Sequence, residues 1–248
     1  MGISAVILTK NSSKTLRATL ESVSFCDETL VIDDHSTDTT LTIAKATRAI
    51  VFTRALERDF AAQRNFGISK ASHEWILFID SDEVVTEELR EEIQAAIRNV
   101  DVNGFFLKRR DVIWAKPVLY GETAEVRLMR LAKKGSGKWT RPVHEVWNVT
   151  GIVGTLENPL MHLPHPTVAD FLSDINSYST INAMHFYKSG TRTSVWQIVG
   201  YPTAKFFQNY LVRQGFRDGM PGIIVALMMS FHSFLTRAKL WQLQKQQG

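Results

Sequence analysis

Cysteine is nearly absent: Cys26 is the only one in 248 residues, which excludes an internal disulfide framework and a cluster of thiolate metal ligands. No motif surrounds Cys26, so it reads as a small packing residue rather than a nucleophile, in a chain suited to a reducing compartment. A secretory pattern is also missing. Met1-Gly2 leads directly into strand-like sequence with no basic stretch or cleavage signal, and the expectation is synthesis in the cytosol. Long apolar runs are lacking too: the longest, from Ile223 to Met229, has seven residues, against the roughly 20 that span a bilayer. Two glycine motifs are absent. Without Gly-x-Gly-x-x-Gly after the first strand a dinucleotide cofactor is disfavoured, and without a Gly-Lys-Ser/Thr loop so is a P-loop. No internal repeat or low-complexity tract interrupts the chain.

What is present is enough apolar sequence, 44%, to bury a full core. The net charge of +4 is unevenly distributed. Residues 183–248 hold eight Lys or Arg and one acid, a balance of +7, which leaves −3 for residues 1–182. Aromatic and aliphatic residues are interleaved with those basic residues, among them Phe206, Tyr210, Phe216, Phe231 and Trp241. The apolar content is too dense for a surface that tracks nucleic-acid phosphates and suits an anionic bilayer surface. A helical hairpin packed on the main domain is the other reading of the same residues.

Strand-like and helix-like segments alternate over the first hundred residues, the pattern of a parallel sheet with crossover helices. Strands are expected at 3–9, 28–33, 50–53 and 75–79, with helices at 60–71 and 86–99 and two shorter ones before them, capped by Ser12 or Ser13 and by Ser36 or Thr37. Short strands at 104–108, 126–131 and 143–149 suggest a mixed, partly antiparallel continuation. A helix at 167–189 and a broken helical segment at 195–243 follow, with breaks at Pro202, Gly215, Gly219 and Pro221-Gly222.

The five large apolar residues Trp75 to Ile79 read as a strand buried on both faces, and ligands in such folds bind just beyond the carboxyl ends of the strands. There the chain places Asp80-Ser81-Asp82-Glu83. Two carboxylates two residues apart at that edge are suited to a hard divalent cation, Mg²⁺ or Mn²⁺, which would neutralise a diphosphate. Thr9-Lys10-Asn11 and Asp33-Asp34 end the first two strands, so the topology gathers all three clusters on one edge. Asp33 or Asp34 is suited to a base or ribose. Gln63, Arg64 and Asn65 offer an amide and a guanidinium from the third helix. Arg127 and Arg130 are spaced to face opposite sides of a strand, so at most one points at a phosphate. His162 and His165, flanked by Pro164 and Pro166, read equally as phosphate contacts or loop residues.

Four motifs in order, Ile7-Leu8-Thr9-Lys10-Asn11, Val31 to Thr40 around Asp33-Asp34, Gln63-Arg64-Asn65-Phe66-Gly67 and Trp75 to Glu83, resemble the family-2 inverting glycosyltransferases of GT-A fold. Pro142-Val143-His144-Glu145, Asn176 to Ser179 with Lys188-Ser189-Gly190, and Gln214 to Gly219 are similar to the lipopolysaccharide core β-1,4-glucosyltransferase subgroup. The Gln-x-x-Arg-Trp motif of processive synthases is absent, which points to addition of a single sugar.

The resemblance implies a Rossmann-like α/β fold, a mixed and mainly parallel sheet with helices on both faces, followed by a C-terminal amphipathic appendage. It implies a catalytic domain over 1–190, with a donor half (1–100) and an acceptor half (101–190), and a membrane-associating region over 191–248. Thr9, Asn11, Asp33, Asp34, Gln63, Arg64, Asn65, Asp80 and Ser81 would bind the nucleotide-sugar donor, UDP-glucose in that subgroup. Asp80 and Asp82 would hold the Mg²⁺ or Mn²⁺. Inversion needs a base opposite the leaving diphosphate. Glu145 is the candidate, with His144 beside it to complete the metal shell or orient the acceptor and Glu83 in reserve. The acceptor would be a lipid-linked saccharide such as a lipopolysaccharide inner core, or a polyprenyl phosphate, met at the inner face of the cell membrane by a cytoplasmic, peripherally attached enzyme. Against this stand a haloacid-dehalogenase-type phosphatase, in which Asp80 would be a nucleophile closing the first rather than the fourth strand, a nucleotidyltransferase, and a non-catalytic sugar-nucleotide binding module.

Overall fold

The computed structural model describes residues 1–122, 124, 126–141, 145–164 and 167–246. The chain forms two compact units, one of Met1–Arg110 and Val126–Leu163, the other of Asp111–Glu125 and Pro164–Gly248. In chain order the first unit contains β1 (Ile3–Thr9), α1 (Leu16–Ser22), β2 (Glu28–Asp33), α2 (Thr40–Lys45), β3 (Ile50–Thr53), α3 (Phe60–Lys70), β4 (Trp75–Asp80), β5 (Glu83–Val84) and α4 (Glu87–Ala96). The long β6 (Val102–Ile113) follows, its end and the short β7 (Lys116–Pro117) paired to that end belonging to the second unit, then come β8 (Val126–Lys133), β9 (Gly137–Thr140), β10 (Val146–Val149) and β11 (Ile152–His162).

The main sheet runs β3-β2-β1-β4-β8-β6-β11-β5. Its first four strands are parallel, as the βα alternation predicts, and β4–β8, β8–β6 and β11–β5 are antiparallel. β5 begins three residues after the end of β4 yet lies at the far end of the strand order, so the sheet curls. That placement sets His162 of β11 opposite Glu83 of β5. β9 and β10 form a separate two-stranded hairpin in which Trp139 and Trp147 are directly paired.

Alternation along the strands sorts side chains to two faces. Ile3, Ala5, Ile7, Trp75, Leu77 and Ile79 form one core with Leu16, Leu20, Leu89 and Ile93 of the helices. Val6, Leu8, Leu30, Ile32, Ile76 and Phe78 form the other, closed by Ala61 and the hairpin tryptophans. Large side chains buried in this way stabilise by about 1.5–3 kcal/mol each. Phe78 meets Trp139 and Trp147 edge-on at 5.2 and 5.1 Å, and the two indoles stack at 5.3 Å.

Two of the expected strands have neighbours that the residue pattern does not mark. β9 lies within the glycine-rich turn sequence, and β11 contains Gly154 and Pro159, residues depleted in strands. The N-caps of α1 and α2 are Thr15 and Thr39 rather than the serines or Thr37, and neither side chain makes a capping hydrogen bond.

The second unit contains α5 (Val168–Lys188), α6 (Val195–Phe207), a π-helical turn at Gln208–Val212, a 3₁₀ turn at Gly215–Asp218 and α7 (Met220–Lys245). The 190/191 boundary expected from the sequence therefore falls between two helices of this unit. Pro202 does not break α6: it is buried within the helix, and Ser230 of α7 donates to its carbonyl at 2.8 Å. Pro221, at the first turn of α7, suits the start of a helix. Although no apolar run in it exceeds seven residues, α7 is long and apolar enough to cross a membrane by length and composition, even with Arg237 and Lys239 in its second half. Exposed Val195, Trp196, Val199, Phe207, Val212 and Met220 leave much apolar surface on the unit.

Gly67 brings α3 against β1: a Cβ there would lie 2.5 Å from Val6 Cγ1. Helix propensity favours Ala over Gly by about 1 kcal/mol, but overpacking a rigid sheet costs about 1–3 kcal/mol. Gly67→Ala is expected to lower stability in urea unfolding despite its better helix propensity, and an increase in stability would refute this close approach.

Candidate active site

Thr9, Asp33 and Asp80 end three adjacent parallel strands and so share one edge of the sheet. The loops after β1 and β2 are tied to each other. Asn11 and His35 both adopt left-handed backbone, φ 49° and 50°, a region that Asn tolerates better than most residues. Ser36 Oγ accepts from the Asn11 N–H at 2.9 Å, and Asn11 Oδ1 accepts from the Thr37 N–H at 2.8 Å. Asp33 is fully buried and accepts from the backbone and hydroxyl of Ser36, which makes it the residue that shapes the loop. Asp34 turns the other way, accepting from Leu56 N–H at 2.9 Å and Lys10 Nζ at 2.7 Å. Desolvation pushes its carboxyl up, but Lys10 and Leu56 outweigh this and hold it below the ordinary carboxylate value. Thr9 Oγ1 is sealed from solvent and has no hydrogen-bond partner among the described residues.

Three consecutive residues of α3 point in three directions, as the ~100° turn per residue requires. Gln63 is buried and clasps Arg54, accepting from its guanidinium and donating to its carbonyl at 2.9 Å. Asn65 hooks the hairpin, donating to Trp139 O at 2.9 Å and accepting from Trp139 N–H at 3.0 Å. Both amides are engaged by the scaffold. Arg64 points to the sheet edge, where it bonds Asp80 Oδ1 and Glu145 Oε1 at 2.9 Å each. Its guanidinium rests over Trp139 at 4.7 Å and Phe78 at 5.5 Å, so apolar rings screen it from water and strengthen its ion pairs.

A second guanidinium completes the cluster. Of the β8 pair, Arg127 is exposed and Arg130 buried, and the β6–β8 register shifts at Arg130, between the pairs Phe106–Met129 and Phe105–Leu131. Arg130 bonds Asp80 and reaches Glu83 Oε1 at 3.0 Å. Glu83 is wholly buried, and its other oxygen accepts from the Asp80 N–H at 2.8 Å. Desolvation raises the Asp80 carboxyl, but Arg130 and Arg64 draw it well below the usual range. Desolvation also raises Glu83, and there Asp80 adds to the rise, so burial prevails over the attraction of Arg130. A proton on Glu83 would leave two guanidiniums facing two carboxylates, Asp80 and Glu145. Arg130 itself is held firmly charged, since Asp80 and Glu83 outweigh the cost of burying it.

Ser81 is held from beneath, its hydroxyl 2.7 Å from Ser12 Oγ and its carbonyl accepting from Thr19 Oγ1 at 3.0 Å. Asp82 is the outward carboxylate, its side chain about one-third exposed, with Oδ2 3.4 Å from His162 Nε2. The Asp82 carboxylate is a hard oxygen donor of the kind that fits Mn²⁺ or Mg²⁺, with the His162 imidazole beside it. Asp80 differs, since both of its oxygens already meet guanidiniums. Among the described residues no three His, Cys, Asp or Glu side chains form a ready ligand cluster. The sequence singled out His162 without connecting it to Asp82. The connection is the β5–β11 pairing, which local patterning does not reveal, and Arg130 acquires its partners in the same long-range way. His144 and His165 lie outside the described residues, and Glu145 immediately precedes β10.

Residues 4–147 match the family described as glycosyl transferase family 2. This chain therefore belongs to glycosyl transferase family 2, and it is a glycosyltransferase with the GT-A fold. It is 28% identical over 248 residues to the lipopolysaccharide core biosynthesis glycosyltransferase LpsC of Rhizobium meliloti, covering 97% of this chain and 92% of that protein. An uncharacterized glycosyltransferase of Rickettsia felis is 27% identical over 96% of this chain and 89% of its own. Among solved structures, the mannosyltransferase PcManGT of Pyrobaculum calidifontis, in complex with GDP-Man and Mn²⁺, superposes with a TM-score of 0.55 at 10% identity, covering 97% of this chain and 87% of that one. TarS 1-349 of S. aureus gives 0.51 at 14%, covering 100% and 92%.

Removing one partner of a buried ion pair costs about 3–5 kcal/mol, because the other charge stays buried. Arg130→Met is expected to lose about that much stability in urea unfolding. Glu83→Gln, the neutral isostere of a protonated Glu83, should stay within about 1 kcal/mol of the parent. Linkage to pH runs in two directions. The contributions of Asp34 and Asp80, whose folded pKa values are depressed, are present above the ordinary carboxylate pKa and lost as pH falls. That of Glu83, whose pKa is raised, is present below the ordinary value and lost as pH rises. A Glu83→Gln variant as unstable as Arg130→Met would overturn this assignment of charge.

Proposed function

We propose that the protein is an inverting, metal-dependent hexosyltransferase that moves one sugar from a nucleoside diphosphate to a saccharide carried on a lipid. The observation that carries this is the shared grip of Arg64: the acidic motif after β4 and Glu145 lie within the width of one guanidinium. Asp34 receives the base or ribose, and Asp80, fixed by two arginines, presents its remaining lone pairs to the ribose. Asp82 and His162 are the residues that would hold Mg²⁺ or Mn²⁺. When bound, the cation supplies positive charge to the leaving diphosphate.

Glu145 removes the proton of the acceptor hydroxyl as that oxygen bonds to the anomeric carbon. The bond from that carbon to the diphosphate breaks on the opposite face, which inverts the centre, and the nucleoside diphosphate departs with the electron pair. The two opposed charges of Arg64 and Arg130 keep Glu145 and Asp80 from repelling each other while this occurs. Glu83, buried under the edge, has no access to an acceptor and acts by holding Asp80 and Arg130 in place. UDP-glucose is the donor implied by the sequence resemblance. The similarity to LpsC along almost the whole chain supports a lipopolysaccharide core acceptor, with a polyprenyl phosphate as the alternative.

Nucleoside diphosphate release from UDP-glucose, Mn²⁺ and a lipid-linked oligosaccharide tests the reading. Loss of a general base lowers the rate by about 10²–10⁴-fold. Glu145→Gln is expected to lower kcat by that factor with little change in donor KM, and wild-type turnover would exclude it as the base. Asp82→Ala should require at least about tenfold more Mn²⁺ for donor binding.

The exposed apolar residues of the second unit, together with its basic charge, support attachment to the inner membrane surface from the cytoplasm. Burial of Val225, Ala226, Thr236 and Leu240 of α7 within the protein supports lying on a bilayer over crossing it. Trp196 is 87% exposed, and Trp196→Asp is expected to reduce co-sedimentation with anionic liposomes. Unchanged co-sedimentation would exclude this end of α6 as the contact.

A further inference from the structure

The second unit contains an open, largely apolar cavity of about 590 Å³ with several polar side chains on its wall, within the size range of small-ligand sites. Asn182 of α5, Tyr201 and Lys205 of α6, and His232 and Arg237 of α7 line it, together with Glu122. The acid is already matched: Lys205 Nζ and Asn209 Nδ2 each bond Glu122 Oε2 at 2.7 Å. Arg237 is not. Among the described residues no carboxylate pairs with it, and its guanidinium lies over the Tyr201 ring, 3.6 Å from the centroid. Its Nε–H is sealed from solvent with no acceptor. A buried donor left in that state costs about 1–3 kcal/mol, and more when charged.

His232 adds an imidazole whose pKa burial depresses more than Glu122 raises it, while Lys205 and Lys239 add to the depression. Its Nε2 lies 3.5 Å from Asn182 Nδ2. A guanidinium that no carboxylate of the described residues neutralises, an amide and an imidazole around one cavity make a wall with donors to offer. A guanidinium fork matches the oxygens of a phosphate, and the volume leaves space for the molecule that bears it.

We propose that this cavity is a second ligand site, which binds a phosphomonoester carried on a larger molecule, with Arg237 as its principal donor. It stands apart from glycosyl transfer: no residue of the first unit takes part, and binding alone reports on it. The phosphate could arrive on a lipid headgroup or on a soluble metabolite. Helices α6 and α7 also line an apolar groove of about 380 Å³ with Ile198, Val199, Leu227 and Phe231, so the test includes a lipid.

Full-length protein is co-sedimented with phosphatidylcholine vesicles containing phosphatidic acid, or phosphatidylglycerol at matched charge, and is titrated calorimetrically with glycerol 3-phosphate. Arg237→Gln removes the donor. Ser233→Asp places a carboxylate on the cavity wall and leaves the contact with Tyr201 intact, which covers the case in which Arg237→Gln folds poorly. Arg192→Gln removes the same charge at an exposed position. The protein is expected to prefer phosphatidic acid, and both cavity variants should lose about tenfold in affinity, the value of one charged hydrogen bond. Arg192→Gln should keep the preference. Binding of glycerol 3-phosphate that the cavity variants abolish would support a soluble source, and preference for phosphatidic acid alone would support a lipid. Equal binding of both lipids together with no binding of glycerol 3-phosphate overturns the proposal, as does binding that both cavity variants leave unchanged.

Discussion

Three acids, Asp80, Glu83 and Glu145, gather around the end of β4, and Arg64 and Arg130 are what allow them to stay there. Each guanidinium serves two acids, and Asp80 is shared by both. Without these pairs the strand end would carry unpaired charge in a desolvated setting. With them, Asp80 is ionised and fixed, and Glu145 is oriented toward the same edge. The pairs run between α3, β4, β8 and the start of β10, so they also fasten those elements together.

The hairpin is the second requirement. Trp139 and Trp147 stack on each other and stand edge-on to Phe78, while Asn65 bonds the backbone at Trp139. These contacts set the start of β10, and therefore Glu145, over Arg64. Positioning of the candidate base is thus distributed: indole packing sets the depth of the hairpin, an amide sets its register, and a guanidinium aims the carboxylate.

Much of this arrangement is legible from short-range pattern. Five apolar residues ending in an acid identify β4 and its edge because a strand buried on both faces has no polar alternation. The spacing of Arg127 and Arg130 assumes regular alternation, whereas the register of β6 and β8 shifts at Arg130. The Gln63-Arg64-Asn65 triplet was legible as important, but its division of labour was not, because a helix sends adjacent residues to different neighbours. His162 was legible only as a histidine between apolar residues and prolines, since its meaning depends on β11, whose glycine and proline disguise a strand, and on a pairing with the two-residue β5. Arg130 is similar, for its partners are fifty residues away in sequence at Asp80 and nearly as far at Glu83.

The strand that brings His162 to Asp82 is the last of the sheet to leave the ribosome. A nascent chain that has emerged only through β10 holds the parallel strands, both arginines and Glu145, but lacks the imidazole beside the outward aspartate. Closing that contact requires residues 83 and 162, separated in sequence by α4 and five strands before β11, to meet in one strand pair of high contact order. Synthesis order therefore leaves the edge without that imidazole, and the main core without Leu156 and Leu160, until β11 has joined the sheet.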